Sequence, residues 1–272
     1  MYGKHYGYET SKSSLMVKHL KEKVFRFKKK GYLRKGNSVL DIGSNDGTFL
    51  NLIGKSYYRY GVDPSGIKFK KNYKKIKLVN AFFSEKKIKP KNTKFDLITS
   101  FAIFYDVEDP NQFCADIKNI LKPDGVWVCE LSYLPLMLKN LTFDQICHEH
   151  VTYYSLKVFE KIINHNGLKL LDVKRNEING GSIEIICSHE NSKKNINYSL
   201  INDLKNDESK ITKKSFSNFN KRIFKIKKDL KNFLSNKKNV SAYGASTKGN
   251  IVLNLCKLSS KEIAFVCDAN HK

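Results

Sequence analysis

The chain has 272 residues, 40% hydrophobic and 28% charged. That usage is ordinary for globular proteins and excludes a collagen-like fibre or wholesale disorder, and the length suits one large domain or two of common size. Fifty basic residues against twenty-six acidic ones give a net charge of +24.

A nucleic-acid partner would suit that charge, yet only Arg26, Arg34, Arg59, Arg175 and Arg222 are arginines. Arginine is the usual bidentate reader of phosphates and bases. The lysine excess, with abundant Asn and Ile, reads as the imprint of AT-rich coding sequence, and no nucleic-acid partner is expected. No apolar run reaches the ~18 residues of a membrane helix, and the first twenty residues hold no apolar stretch of the kind a secretory signal needs. A cytoplasmic protein without a membrane partner is expected. Cys114, Cys129, Cys147, Cys187, Cys256 and Cys267 stand singly, with no CxxC pair. They read as reduced, mostly core thiols.

In chain order, residues 11–30 space Leu15, Met16, His19, Leu20, Val24 and Phe25 as one helical face, ended by Gly31 and Gly36. Ser38–Ile42 reads as a buried strand, Thr48–Ile53 as a helix, Tyr58–Val62 and Ile76–Val79 as strands, and Phe95–Ser100 as a fourth strand. Asn111–Leu121 is a helix, Pro123–Gly125 a turn and Val126–Leu131 a fifth strand. Strands alternating with helices predict an α/β fold, a parallel sheet covered on both faces. Ser155–His165 reads as a helix, and Leu168–Val173 and Ser182–Cys187 as a hairpin closing one sheet edge. Residues 189–210 are polar and read as a linker. Ile211–Leu234 reads as a basic amphipathic helix packed on the core through its aromatic residues. Val240–Tyr243, Asn250–Lys257 and Ile263–Cys267 read as the opening of a second α/β unit, as in a chain truncated at its C-terminus.

The strongest local signal is Asp41-Ile42-Gly43-Ser44-Asn45-Asp46-Gly47, a DxGxxxG loop between a strand and a helix. Its glycines permit a sharp turn and close approach of backbone to a ligand, and the helix start offers free N–H groups. Asp63 ends the second strand twenty residues after Gly43, the spacing of an acid that hydrogen-bonds ribose hydroxyls. GxGxxG is absent, and Asp41 suits a cationic, amine-bearing ligand better than a pyrophosphate. The loop therefore favours S-adenosylmethionine over a dinucleotide.

With Phe95–Ser100 and Leu121–Gly125, residues 36–131 resemble the core of class I S-adenosylmethionine-dependent methyltransferases. The resemblance implies a Rossmann-like sheet with helices on both faces. It puts Asp41, Gly43 and Gly47 at the methionine part of the cofactor, with Ser44 and Asn45 in the same loop. It puts Asp63 at the ribose, counts Ser100 in the cofactor site, and places Ala81 and Phe82 beside the adenine.

Cys147-His148-Glu149-His150 sets two His and a Glu within four residues. The spacing is not HExxH, so metal binding is weakly supported. A histidine pair without chemistry, and acid/base work by an imidazole tuned by a carboxylate, both remain open. With Phe143-Asp144 before it, Tyr153, Ser155 and Leu156 after it, Asn179–Ser182, and Tyr243–Asn250 (YGASTKGN), the segment resembles the sugar C-methyltransferases, which act on nucleotide-linked keto-deoxysugars. The match runs from Tyr6-Gly7-Tyr8 to the end of the chain. It implies C-methylation through an enolate, with His150 as base and Glu149 beside it. Cys147, Asp106 and Tyr8 join the catalytic positions, and Tyr6, His148, Asn179, Lys248 and Asn250 the substrate positions. The turn with Ser246 and Thr247 suits a sugar diphosphate or is an ordinary strand-to-helix connection.

The resemblance divides the chain into a leading helical segment (1–36), a cofactor-binding methyltransferase domain (37–190), a linker with an amphipathic helix (191–238) and a partial substrate domain (239–272). Better-known members have Tyr at Cys147, His at Asp106, and an N-terminal cysteine-rich zinc module; no metal is expected here. These departures leave open another sugar, another acceptor position, O-methylation, or cofactor binding without turnover. A nucleic-acid methyltransferase would show Asn/Asp-Pro-Pro-aromatic after the fourth strand, or a Pro-Cys pair. Ser100–Tyr105 lacks the first, and none of the five prolines precedes a cysteine.

Overall fold

A computed structural model describes residues 6–88 and 90–268. The first five residues of the expected leading segment and the last four of the C-terminal unit lie outside them. The leading helix, α1 (Ser14–Lys29), is capped by the Ser13 side chain, which accepts from the Met16 N–H. Its buried stripe is Leu20, Lys23, Val24 and Phe27, the i, i+3, i+4, i+7 pattern of one helix face. Leu15 and Phe25, expected on that face, are exposed. The rotation follows from charge. Lys23 is fully buried between Glu130 and Glu184 of the sheet, and His19 meets Glu130 at 2.9 Å instead of filling an apolar gap.

The sheet elements follow the sequence expectation within a residue or two, except that the fifth strand begins five residues earlier, the sixth runs three residues further, and the helix at Leu134–Asn140 was not expected. They are β1 (Ser38–Ile42), α2 (Thr48–Ile53), β2 (Tyr58–Val62), β3 (Lys77–Val79), β4 (Phe95–Phe101), α3 (Pro110–Ile120) and β5 (Leu121–Ser132), then α4 (Leu134–Asn140), α5 (Leu156–His165), β6 (Leu168–Asn176) and β7 (Ser182–His189). The strand order is β3-β2-β1-β4-β5-β7-β6. β1 to β5 run parallel, and β7 lies antiparallel between β5 and β6, the expected hairpin edge. The expected turn at Pro123–Gly125 is instead a bulge within β5: Leu121 pairs with Phe95 and Val126 with Leu97, so the intervening residues loop out. Apolar cores cover both faces, one around Trp127 and Phe159, the other around Phe27 and Leu50.

The expected linker is largely helical. α6 (Tyr198–Ser209) is capped by Asn197 and buries Ile201 and Leu204 in the main core. Its Glu208 carboxylate accepts from the Leu156 and Lys157 N–H groups at the start of α5. The polar composition hid two apolar residues three apart and a buried cap. Next come α7 (Lys213–Ser235), β8 (Ser241–Tyr243), α8 (Thr247–Cys256) and β9 (Phe265–Cys267). Only part of the aromatic face of α7 packs: Phe219 and Ile223 are buried, whereas Phe216, Phe224 and Phe233 are exposed. α7, α4 and α8 share a third core with Phe143, which seats the C-terminal unit against the segment leading into His148–His150. β8 and β9 form a parallel pair. Among the described residues no helix is long and apolar enough to cross a membrane.

Candidate active site

At the end of β1 the chain turns through Gly43, with φ at +73°, and a Cβ there would lie 2.2 Å from the Ile103 side chain. Gly47, at φ +77°, starts α2 against the Tyr73 ring. These are the positions where only glycine leaves the backbone bare. Asp63 anchors the loop from β2: one carboxylate oxygen accepts from the Asn45 N–H at 2.8 Å, the other from the Ser65 N–H and hydroxyl. A carboxylate has about four acceptor sites, so these three bonds leave room for one further donor. Asp41 is buried and accepts from the Thr99 hydroxyl at 2.6 Å. Burial pushes its carboxyl up to about 7, against the Thr99 bond and helped by Asp63 and Asp46. The bare glycine turn and a buried acid awaiting a cation fit the methionine end of S-adenosylmethionine. Ser100 does not join this cradle; it faces the core and accepts from the Trp127 ring N–H at 2.9 Å. Ser44 bonds the Tyr73 hydroxyl. Phe82 is exposed just past β3, with Ala81 turned by a bond to the Val79 carbonyl.

The leading segment lies across the loop. The Asn45 side chain accepts from Thr10 and donates to the Tyr8 carbonyl, and Asp46 accepts from the Ser11 N–H. Both candidate tyrosines lie on this strap, with ring centroids 6.5 Å apart. Tyr8 has Thr10, Asp46 and the Tyr6 ring as its neighbours. Tyr6 lies within electrostatic reach of Asp106, Tyr8, Asp63 and Glu149; burial first, then these groups, push its hydroxyl up to about 12. Tyr6 thus lies between the glycine loop and the His148–His150 segment.

That segment is stitched to the turn after β4: the Val151 and Thr152 N–H groups both donate to the Tyr105 carbonyl. The His150 ring packs on Tyr105 with centroids 4.3 Å apart, and its Nδ1 is buried without a hydrogen-bond partner. Burial lowers the imidazole pKa and Lys248 adds to this, while a Gln145 backbone contact and Glu149 oppose it. The ring is therefore neutral at neutral pH. Burial alone would raise Glu149, but its own N–H, the Cys147 thiol and the two neighbouring histidines draw it below the usual carboxylate range. Burial keeps the Cys147 thiol protonated, so it serves Glu149 as a donor.

Other expected positions stand apart. The His148 side chain is 79% exposed. Asn179 contributes its carbonyl, which accepts from Gln145 at 2.6 Å. The Asn250 amide donates to the Ala245 and Ser246 carbonyls and closes its own turn. Lys248 approaches Asp144 at 3.8 Å and so brings its charge beside His150. Sequence reasoning missed Gln145, whose carbonyl also accepts from Tyr153; a lone amide in an apolar segment gave no pattern to find it by. Among the described residues no group of three or more His, Cys, Asp or Glu is placed to hold a metal.

Comparison with known proteins bears on this arrangement. A C-methyltransferase C-terminal domain model matches residues 177–272. The C-methyltransferase NovU of Streptomyces niveus is 27% identical over 275 residues, covering 97% of this chain and 66% of NovU. The chain therefore spans slightly under two thirds of that relative. The PH0226 protein of Pyrococcus horikoshii superposes with a TM-score of 0.53 at 16% identity, over 68% of this chain and 96% of the other. The plantazolicin methyltransferase BpumL, solved with a triazolic desmethylPZN analog and SAH, gives 0.52 at 13% identity, over 66% and 87%. At such identities the likeness shows the fold alone. The methyltransferase domain model matches residues 16–173. That match spans more than half of the sequence, and the chain belongs to the class I S-adenosylmethionine-dependent methyltransferases, whose strand order it shares.

Proposed function

We propose that this chain methylates a carbon beside the ketone of a nucleotide-linked deoxysugar. One observation carries the reading: a neutral, buried imidazole with an unpartnered nitrogen, His150 Nδ1, in the segment that Tyr6 links to the glycine loop. When bound, S-adenosylmethionine supplies an electrophilic methyl group on a sulfonium. Asp41 and the turn at Gly43 would hold its amino-acid end, and Asp63 a ribose hydroxyl. The ketone acidifies the adjacent C–H, and His150 Nδ1 takes that proton, becoming imidazolium beside the Glu149 carboxylate. The C–H electron pair passes into the enolate, whose carbon is then alkylated. Tyr6, kept protonated by burial and its acidic neighbours, donates to the enolate oxygen. Lys248 faces the diphosphate. The similarity to NovU over nearly the whole chain favours carbon over oxygen as acceptor.

The test is proton exchange without methyl transfer. The chain is incubated in D2O with S-adenosylhomocysteine and a nucleotide-linked keto-deoxysugar. NMR should show loss of the proton beside the ketone, and His150→Gln should abolish that loss while leaving cofactor affinity within about twofold, because the imidazole acts on the substrate alone. The acid limb of the exchange rate should fall below the ordinary imidazole range, as the lowered His150 pKa requires. A sugar that binds without exchange would redirect the reading to a hydroxyl acceptor.

A further inference from the structure

The outer side of the glycine loop carries a feature that methyl transfer does not use. Between α2 and the segment after β2 lies a cleft of about 420 Å³ lined by Asn51, Lys55, Arg59, Lys71, Asn72 and Lys74. Its lining holds four cations, two amides and no carboxylate. None of the four cations makes a salt bridge among the described residues.

Arg59 sets this cleft apart from the many surface lysines. It sits on β2 opposite Val39 and is only 6% exposed. One guanidinium nitrogen, Nη1, donates to the Leu50 carbonyl at 3.1 Å, while Nε is buried and has no partner. Buried donors in folded proteins are almost always satisfied. Burial without a facing carboxylate also lowers the guanidinium pKa, so this charge gains from any anion that reaches it. Lys55, Lys71 and Lys74 are exposed around it.

The walls are held by hydrogen bonds. Asn51 donates to the Gly47 and Asn72 carbonyls at 2.9 and 3.0 Å, and Asn72 donates to the Asp46 carbonyl at 3.0 Å. Tyr73, between Asn72 and Lys74, donates to the Asn45 carbonyl at 2.7 Å. The cleft is thus the braced back of the glycine loop.

We propose that this cleft binds a small phosphate-bearing anion, with the buried Arg59 guanidinium as its anchor and the three lysines completing its coordination. The planar guanidinium fork matches phosphate oxygens, and mobile lysines add charge without demanding one geometry. The proposal is independent of the methyl acceptor.

Calorimetric titration of the full chain at fixed ionic strength tests it, with inorganic phosphate, pyrophosphate and ADP as separate probes. The tightest of the three identifies whether one phosphate, a diphosphate or a nucleotide is the fitting form. Lys71→Gln/Lys74→Gln should weaken that probe at least about tenfold, the scale of two lost charge-assisted contacts. Lys237→Gln/Lys238→Gln, which removes the same charge from exposed positions after α7, should change it less than about twofold. Arg59→Met should abolish binding; because Arg59 is buried, the lysine pair carries the test if that variant does not fold. No binding of any probe at millimolar concentration overturns the proposal. So does equal loss in the two double variants, which would mark diffuse attraction to a basic surface, and so does unchanged affinity in Lys71→Gln/Lys74→Gln.

Discussion

Thr10 donates both its backbone N–H and its hydroxyl to the Asn45 side-chain carbonyl, at 3.0 and 3.2 Å. The same Asn45 amide donates back to the Tyr8 carbonyl at 3.0 Å, so one side chain in the cofactor loop clamps the strap that presents Tyr6. Asn45 holds φ at +48°, a conformation that glycine also adopts freely. Asn45→Gly therefore removes the clamp without straining the loop. It should lower stability by about 1–2 kcal/mol, the scale of a few part-buried hydrogen bonds. It should also expose residues 6–13 to limited proteolysis and slow turnover through loss of Tyr6. A wild-type cleavage pattern in the folded variant would show that the strap is held elsewhere.

The buried charge cluster under α1 gives a second expectation. Lys23 stands 2.7 Å from Glu130 and also bonds Glu184, which Arg26 shares. Asn176 donates to Glu130 at 2.7 Å. Lys23→Met leaves these carboxylates short of charge and should destabilise the fold by about 3–5 kcal/mol, as breaking one side of a buried pair does. Burial alone would raise the Glu130 carboxyl, but Lys23 and His19 overcome it and hold it at about 2. A depressed carboxylate stabilises the fold above its unfolded pKa and loses that contribution as pH falls towards the folded value. Melting temperature should accordingly drop between about pH 4.5 and 2, more steeply in wild type than in Glu130→Gln. Parallel acid profiles of the two proteins would remove Glu130 as the source.

The parallel sheet was readable because its signals are local. Short apolar runs such as Ser38–Ile42 and Phe95–Ser100 are bounded by turns, and buried parallel strands need nothing more. The loop from Asp41 to Gly47 was equally plain, since its glycines answer a backbone requirement. Facing was harder to read. Phe25 looked like core and Lys23 like surface, because the partners that reverse them, Glu130 and Glu184, lie over a hundred residues away in sequence. An acid inside each of two apolar strands was the available warning, since a buried carboxylate needs a partner. Tyr6 and Tyr8 share one short polar segment, and bonds from Asn45, Asp46 and Lys68, each over thirty residues away, set how it lies. α6 was hidden by composition: Ile201 and Leu204 pack inward amid Asn, Lys and Asp residues that face water.

With Asp41 as the partner of the cofactor's amine, its carboxyl is expected to set the pH dependence of cofactor binding. Its carboxyl is raised to about 7 by burial and by Asp63 and Asp46. A raised carboxyl stabilises the fold below its unfolded pKa and loses that contribution as pH climbs through the folded value. Asp41→Asn should thus melt higher than wild type at pH 8, with the gap closing towards pH 5. Binding should run the other way. S-adenosylhomocysteine carries an ammonium group that favours the ionised carboxylate, so below pH 7 it must first displace a proton. Its affinity should rise between pH 6 and 8 by up to about tenfold per unit. Near pH 7 the heat of binding should differ between buffers of unlike ionisation enthalpy, showing proton release. Asp41→Asn should bind more weakly and with a flat profile. If wild type binds with a flat profile and releases no proton, the amine lies elsewhere, and Asp41 serves the loop only through its bond to Thr99.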